Sequence, residues 1–166
     1  MPVTPFHFGP HACIGLPLRK RLDVANFLLA NIVIDIEPGL VMLFNLDYPL
    51  HGYAHTLIGS IFVGWLCGGI GYRLRQPLRK IMDFFKLPYS PSLKIGIISG
   101  MLGSIVHVLF DAPIYEDIRP FFPLQINPLY GLISLLDMYL LCTLLFIPAF
   151  LLYRFIVKQS EEGHEK

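Results

Sequence analysis

Charged residues are scarce in this chain: only 15% of its 166 residues are Asp, Glu, Lys or Arg, whereas 54% are hydrophobic. The mean hydropathy is +0.59, which lies outside the usual range of soluble domains and is typical of membrane proteins. The formal net charge is only +1, and no basic stripe supports binding to nucleic acid. The composition therefore predicts one membrane domain without a nucleic-acid partner.

Cysteine is also rare, and several common catalytic motifs are missing. Cys13, Cys67 and Cys142 stand singly in apolar segments, which fits neither a disulfide framework nor a cysteine zinc site. The chain has no H-E-x-x-H, G-x-S-x-G or C-x-x-C-H sequence. These absences argue against a zincin-type intramembrane protease, a serine hydrolase and covalently attached haem.

Long apolar segments are present instead, most of them near the twenty residues that a membrane-spanning helix needs. We predict an all-α, polytopic integral membrane helix bundle with four full spans and a short N-terminal span or re-entrant segment. Residues 1–158 would form one transmembrane domain, and residues 159–166 a polar cytoplasmic tail. The apolar segments are residues 3–18, 22–46, 53–72, 93–112 and 130–157.

Positive charge is concentrated on one side of this arrangement. Twelve of the thirteen lysines and arginines fall in loops and ends on the same side, and only Arg119 falls on the other. The positive-inside rule makes the basic side cytoplasmic. We therefore expect a cytoplasmic (inner) membrane protein whose C-terminus is cytoplasmic. Arg119, the only outer cation, is either an ordinary loop charge or the candidate contact for a substrate phosphate or carboxylate.

Ionisable residues interrupt or border the apolar segments in four places, which is costly unless they build a polar site. Three places have a four-residue spacing that puts both side chains on one face of a helix. Measured from the basic ends of their segments, Asp35 and His107 both lie roughly 20 Å deep. The four places reach a similar level near the outer side, which predicts one shared site. They are His7-x3-His11, Asp35-Ile36-Glu37, His51-x3-His55 and His107-x3-Asp111.

The residue types predict metal binding. Imidazole together with carboxylate favours zinc, with iron or manganese as alternatives. The candidates outnumber the ligands of one tetrahedral zinc, so either two metals are bound or some residues orient the others. A metal with an open coordination position lowers the pKa of its bound water to about 7. The expected ligands are His7, His11, Asp35, His51, His55, His107 and Asp111.

Further residues are assigned supporting roles. Glu37, with Asp35, is the candidate catalytic carboxylate and would act as general base. Asp137 reaches a comparable depth in the last segment, and it and Thr56 are candidates to orient the ligands. Simpler explanations stay open: interhelical hydrogen bonds for the histidines and for Asp137, and a solvated helix break for the Asp35–Glu37 pair.

Small residues recur at every fourth position in the third and fourth apolar segments, a pattern that lets helix backbones approach closely in lipid. They predict that these two segments pack against each other near the candidate ligands. The two stripes are Ser60-Gly64-Gly68 and Gly96-Gly100-Ser104.

Four successive motifs resemble those of LexA-regulated, membrane-bound metal-dependent hydrolases, which are small bacterial and archaeal inner-membrane proteins. The motifs are T-P-F-H-F-G-P-H (4–11), D-I-E-P (35–38), H-G-Y-A-H-T (51–56) and H-V-L-F-D (107–111). The chain departs from the common pattern at Gly52, where arginine is frequent, and at Thr56, where serine is frequent. The resemblance runs over residues 4–131 and implies an integral membrane hydrolase. The ligands it implies are His7, Asp35, His51, His55, His107 and Asp111.

A site in the outer leaflet favours hydrolysis of an ester or phosphoester in a lipid or lipid-linked substrate. The ligand types are similar to those of zinc phospholipases C. Two alternatives without catalysis stay open: a metal transporter or sensor, and a protein with a structural metal or with haem between histidines. No charged residue lies between Ile61 and Ile70 or between Ile95 and Ser104, which indicates a one-sided site rather than a transport path.

Overall fold

The computed structural model describes residues 4–164, and side chains over residues 5–162. All regular structure in this part of the chain is helical, as the apolar segments predict, and two short 3-10 turns (Thr4–His7 and Tyr53–His55) precede α1 and α4. Residues 165–166 of the predicted tail lie outside the described residues. The helices are α1 (Phe8–Gly15), α2 (Val24–Val33), α3 (Ile36–Phe44), α4 (Leu57–Arg73), α5 (Arg75–Phe84), α6 (Leu93–Asp111), α7 (Leu135–Leu144) and α8 (Phe146–His164).

The helices α2, α4 and α6 form the centre of the bundle, and α4 and α6 make the most extensive contact. The small-residue stripes lie at that contact, as predicted. A Cβ atom added at Gly64 would come within 2.5 Å of the backbone oxygen of Gly100, and Gly68 approaches Gly96 in the same way. Glycine is required at this contact because a side chain would overlap the backbone of the neighbouring helix.

The second apolar segment forms two helices with a junction between them. Asp23 caps the N-terminus of α2 by accepting a hydrogen bond from the backbone N–H of Asn26 at 3.0 Å. The helix ends at Val33, and Asp35 lies at the junction before α3 begins. Asn45, in the left-handed conformation that asparagine tolerates, ends α3. The junction directs Asp35 towards α6 within an otherwise apolar segment.

Three helical stretches are long and apolar enough to cross a membrane: Val24–Phe44, Leu93–Asp111 and Leu135–Glu162. The helices α4 and α5 meet at an 83° bend and make a fourth candidate only when they are counted together. The eight residues of α1 extend about 12 Å, far less than the roughly 30 Å of a bilayer core. The all-helical prediction is therefore confirmed, and the described residues hold three candidate spans, or up to four, with α1 not among them.

The short helix α1 packs against α8, α2 and α7. This packing inserts the first turn of the described chain beside the end of α6. As a result, His7 and His11 are buried in the bundle although the helix that carries His11 is too short to span.

Candidate metal centre

Four ionisable side chains meet where the α2–α3 junction, the turn before α4 and the end of α6 come together. One ligand atom from each lies within 4.8 Å of the others. The two histidines are fully buried and Asp111 is nearly so, whereas the side chain of Asp35 is 13% exposed. We call these four residues, Asp35, His55, His107 and Asp111, the His/Asp cluster.

Local structure explains how these side chains converge. His107 and Asp111 lie one turn apart on the buried face of α6, as their spacing predicts, and α6 ends at Asp111. His55 ends a 3-10 turn, so it reaches the cluster from a loop rather than from a helix. Thr56 follows and caps α4, since its hydroxyl oxygen accepts a hydrogen bond from the backbone N–H of Gly59. The structure thus gives Thr56 the role of a helix cap.

Three separations within the cluster are close to those of ligands around one ion. Nε2 of His107 lies 3.1 Å from Oδ1 of Asp35 and 3.2 Å from Oδ2 of Asp111. Nε2 of His55 lies 3.6 Å from Oδ1 of Asp35. Ligands that are about 2.0–2.2 Å from a tetrahedral zinc lie roughly 3.3–3.5 Å from one another. The four side chains could therefore hold one ion between them.

Hydrogen bonds on the outer side of both imidazoles determine which nitrogen faces the cluster. Nδ1 of His107 lies 2.7 Å from the side-chain oxygen of Asn31. Because that oxygen is an acceptor, Nδ1 donates the proton and Nε2 presents a lone pair to the cluster. Nδ1 of His55 lies 3.4 Å from Oε2 of Glu37, which favours the same tautomer.

These lone pairs face carboxylate oxygens, which is repulsive unless a positive charge lies between them. Three buried atoms of the cluster make no hydrogen bond within the described residues: Nε2 of His55, Nε2 of His107 and Oδ1 of Asp111. Leaving buried polar atoms unsatisfied costs free energy. A divalent cation would satisfy all three, and a set of two imidazoles and two carboxylates suits zinc, iron or manganese.

The electrostatics around His55 support this interpretation. Burial lowers the pKa of His55, but its contacts with Asp35 and Glu37 outweigh burial and leave the pKa above its ordinary value. The acidic residues thus favour positive charge at this place. A metal ion and a proton are alternative ways to supply that charge, and they compete for the same nitrogen.

His7 lies beside the cluster. Its Nε2 is 3.2 Å from Oδ1 of Asp111, and its ring stacks on the ring of His107 with 4.6 Å between centroids. Asp111 therefore lies between His7 and His107 and contacts each through a different oxygen. His7 is placed to orient Asp111, or to share it with a second ion.

His11 is buried but is directed away from the cluster. Its Nδ1 lies 2.8 Å from the backbone oxygen of His7, and its Nε2 lies 3.1 Å from the backbone oxygen of Gly103. Both nitrogens thus meet carbonyl groups, and the second contact joins α1 to α6. The structure does not bring this predicted ligand together with the other four.

His51 forms a second pair with Asp117, which the sequence reasoning did not single out. Nδ1 of His51 and Oδ1 of Asp117 are 2.9 Å apart, and Oδ2 accepts the backbone N–H of His51 at 2.9 Å. Burial raises the pKa of Asp117, but these two hydrogen bonds outweigh burial and hold the pKa below its ordinary value. The ring of His51 lies 4.8 Å from that of His55, centroid to centroid. The pair therefore borders the cluster without belonging to it.

A small pocket of about 120 Å³ opens beside His51. Arg119, the predicted substrate contact, lines this pocket and donates a hydrogen bond to the side chain of Gln125. The pocket thus combines an imidazole, a carboxylate and a guanidinium next to the cluster. Its other lining residues are Tyr48, Pro49, Gly52, Tyr53, Thr56 and Phe122.

Glu37 organises the loop before α4. Its carboxylate accepts hydrogen bonds from the backbone N–H groups of Gly52 at 3.1 Å and Ala54 at 3.2 Å, and from the hydroxyl of Tyr48 at 3.3 Å. The same carboxylate contacts Nδ1 of His55, on the side of the ring that faces away from the cluster. This geometry suits a residue that orients His55, and the general-base role of Glu37 stays a prediction.

Asp137 lies on the surface at the start of α7. Its carboxylate accepts a hydrogen bond from the hydroxyl of Ser134 at 2.7 Å, and Ser134 in turn caps the backbone N–H of Asp137 at 3.1 Å. These bonds form a local helix cap. The structure does not bring Asp137 to the cluster.

Asn31 and Asp117 are the two residues near the site that the sequence reasoning missed. Asn31 precedes Asp35 by four residues, the same spacing that drew attention to the histidine pairs. Asp117 falls in the short polar run Tyr115-Glu116-Asp117 after the last ligand motif. The four-residue spacing of Asn31 and Asp35 is visible in the sequence. The pairing of Asp117 with His51 depends on a loop conformation that residue spacing does not encode.

The fold and site together define an all-helical, membrane-type bundle with a buried group of imidazoles and carboxylates able to hold a metal ion. Comparisons of the chain with protein-family models, with curated proteins and with solved structures found no match in any of the three.

Proposed function

We propose that this chain is an integral membrane metal-dependent hydrolase, with zinc as the favoured ion and iron or manganese as alternatives. One observation carries the proposal: buried imidazole lone pairs at His55 and His107 face carboxylate oxygens at ion-ligand separations, with no hydrogen bond to satisfy them. A group of this composition and geometry is what a divalent metal site requires.

A divalent metal with an open coordination position supplies a hydroxide nucleophile at neutral pH by lowering the pKa of its bound water to about 7. The four residues of the cluster would hold the ion, and Asn31 and Glu37 would fix the orientation of its imidazole ligands. Asp35 is the most exposed of the four ligands, so its side of the cluster is where water and substrate would enter.

The pocket at His51 supports a substrate with a phosphate group. Arg119 presents a planar donor set that suits phosphate oxygens. His51, held by Asp117, is placed to donate a proton to a leaving group. The four residues of the cluster would thus hold the metal, while His51 and Arg119 of the neighbouring pocket would contact the reacting group.

An apolar groove favours a lipid as the carrier of that group. The groove has a volume of about 610 Å³ and runs between α2–α3 and α4, with Glu37 and Tyr48 among its lining residues. Tyr48 also lines the polar pocket at His51. A hydrophobic chain in the groove would therefore place an attached ester or phosphoester next to the cluster. The remaining lining is almost wholly aliphatic and includes Leu29, Val33, Leu40, Val63 and Ile70.

We further propose an inner-membrane location with the cluster towards the outer side and the C-terminus in the cytoplasm. The distribution of lysine and arginine supports this orientation. The proposal agrees with the resemblance to LexA-regulated, membrane-bound metal-dependent hydrolases, whose implied ligands include all four residues of the cluster.

Metal content of the detergent-purified protein, measured by elemental mass spectrometry, tests the proposal first. We expect near-stoichiometric metal in wild type, loss in His107→Ala and Asp35→Asn, and retention in Asp137→Asn, which removes a surface carboxylate. Hydrolysis of phosphatidylglycerol in mixed micelles should then depend on the same metal. Wild-type protein that stays metal-free after incubation with zinc, iron and manganese would rule out the hydrolase.

A structural metal is the second candidate, because three of the four ligand side chains are no more than 4% exposed. Structural zinc sites use four protein ligands and leave no position for water. The two candidates differ in one measurement: removing a structural metal with a chelator lowers the melting temperature, and no metal-dependent turnover of phosphatidylglycerol is found.

A further inference from the structure

A second cavity lies at the opposite end of α2 from the His/Asp cluster. It has a volume of about 470 Å³ and surrounds the loop that leads into α2. Asp23, which lines it, is twelve residues before Asp35, or about 18 Å along a helix. The cavity therefore shares no lining residue with the cluster. Its polar lining residues are Arg19, Lys20, Arg21, Asp23, Tyr89, Ser90, Gln159 and Ser160.

The charge of this lining is strongly positive. Arg19, Lys20 and Arg21 contribute three cations, and none of them forms an ion pair within the described residues. Asp23 is the only acidic residue in the lining. Both of its carboxylate oxygens already accept hydrogen bonds from Asn26, at 3.0 Å and 2.7 Å. Asp23 is thus occupied within the protein, and the three cations lack a counter-charge.

A buried hydroxyl gives an independent indication of a ligand. The hydroxyl of Tyr89 is buried and has no hydrogen-bond partner within the described residues, although Tyr89 lines the cavity. An unsatisfied buried hydroxyl costs free energy. Among the charged groups that act on Tyr89, Asp23 acts more strongly than Arg79 and Arg75 of α5, so what Tyr89 contributes is a hydroxyl donor without a partner, and the positive charge of the cavity comes from Arg19, Lys20 and Arg21.

We propose that this cavity binds a phosphate group. Arginine side chains bind phosphate oxygens through paired hydrogen bonds, and lysine and hydroxyl groups complete such sites. The phosphate could belong to a free anion or to the headgroup of an anionic phospholipid. Val24, Ile95 and Ile156 add apolar surface to the same lining, which suits the glycerol and first carbons of a lipid. The basic side of the chain is the predicted cytoplasmic side, where anionic lipids attract such clusters.

The proposal does not depend on the hydrolase, because the variants that test it leave every residue of the cluster unchanged. Lys20→Gln combined with Arg21→Gln removes two exposed cations from the lining. Arg73→Gln combined with Lys80→Gln removes two exposed cations of the same predicted membrane side that do not line the cavity. Tyr89→Phe removes only the buried hydroxyl. Unchanged melting temperatures would show that the variants are folded.

Delipidated protein in detergent would be titrated with inorganic phosphate by calorimetry. Its binding to phosphatidylglycerol and to uncharged diacylglycerol would be compared by native mass spectrometry. We expect the Lys20/Arg21 variant to bind the phosphate-bearing probe at least tenfold more weakly than wild type, Tyr89→Phe several-fold more weakly, and the Arg73/Lys80 variant nearly as tightly as wild type. Binding of inorganic phosphate alone would identify a free anion, and binding of phosphatidylglycerol alone would identify a lipid headgroup. Either result supports the site when the Lys20/Arg21 variant weakens the binding, because phosphatidylglycerol bound at the proposed hydrolase site would not respond to that variant.

Two results would overturn it. Failure of wild type to bind inorganic phosphate and phosphatidylglycerol would show that the cavity takes no phosphate. An equal loss of affinity in the Lys20/Arg21 and Arg73/Lys80 variants would show a diffuse surface attraction instead of a cavity.

Discussion

Two buried aspartates, one at each end of the central helices, have opposite surroundings. Asp23 is 6% exposed, and both of its oxygens accept hydrogen bonds from Asn26 while its own N–H donates to Ser99 at 2.8 Å. Asp111 is 3% exposed, but its neighbours are imidazole nitrogens, and its Oδ1 makes no hydrogen bond in the described structure.

The difference separates a structural carboxylate from one that needs a ligand. A buried carboxylate is stable when protein donors surround it, as at the N-terminus of α2. Asp111 lies beside the imidazole of His107, whose Nδ1 proton is directed to Asn31. Burial alone therefore does not identify a metal ligand. The decisive feature is whether the chain itself satisfies the buried group.

The largest expected effect comes from exchanging each aspartate for asparagine. Asp111→Asn should abolish metal binding, because it removes a charged ligand from a buried site. The lone pairs of the remaining ligands would then repel one another without a cation between them. Asp23→Asn should retain wild-type metal content, because the residue lies at the other end of the bundle. Elemental analysis of both purified variants checks this. Equal metal loss in the two variants would mean that metal content follows overall folding rather than the cluster.

A smaller effect is expected from the residue that holds His107. Asn31→Ala removes the acceptor for Nδ1 and so frees the tautomer and the orientation of the ring. Loss of such a partner lowers metal affinity about 10–100-fold. Asn31→Asp keeps an acceptor oxygen and should recover most of the affinity. Competition with a chromophoric zinc chelator measures both, and equal affinity in wild type and Asn31→Ala would contradict this role.

The sequence predicted the contact between α4 and α6 and the pairing of His107 with Asp111 because both follow from helical periodicity. A helix of fixed rise places residues four apart on one face whatever surrounds it. Asp35 was also identified correctly as a cluster member, since a carboxylate is costly in an apolar segment unless it has a partner.

Periodicity failed where the chain is not a long helix or where ring orientation matters. His51 and His55 have the same spacing, but only His55 falls within the 3-10 turn, and the carboxylates that bind the two rings come from different segments. His7 and His11 do share a side of the first helical segment, yet His11 binds carbonyl oxygens. Side-chain rotation and loop conformation decide these contacts, and spacing contains information about neither.

Two neighbouring glycines in α4 provide a further test of the comparison between Asp23 and Asp111. Substitutions at these glycines should change the stability of the fold without altering either aspartate. Gly68→Ala would drive a Cβ into the backbone at Gly96, whereas an added Cβ at Gly69 meets nothing within 4 Å. We expect Gly68→Ala to lower the free energy of unfolding by about 1–3 kcal/mol through overpacking. Gly69→Ala should be neutral, or raise it by about 0.5–1 kcal/mol because alanine favours the helix.

Both glycine variants should keep their metal while folded. Thermal denaturation in detergent gives the stability difference, and elemental analysis gives the metal content. A Gly68→Ala protein as stable as Gly69→Ala would show that α4 and α6 do not approach as closely as the structure has them.

The smallest expected effect is the pH dependence that Asp23 contributes. Burial raises the pKa of Asp23, and the hydrogen bonds from Asn26 oppose this only in part, so the pKa in the folded protein exceeds the ordinary value of 3.8. The folded state thus binds the proton more tightly than the unfolded state. The contribution to stability is fully present below pH 3.8 and declines as the pH rises through the folded-state pKa.

Asp23→Asn cannot titrate, so the stability of wild type relative to this variant should fall as the pH is raised from about 3.5 to 6.5. Melting temperatures of both proteins, measured with a chelator present to exclude metal-linked changes, give this difference directly. A difference that stays constant or grows with pH would mean that the hydrogen bonds from Asn26 outweigh burial at Asp23.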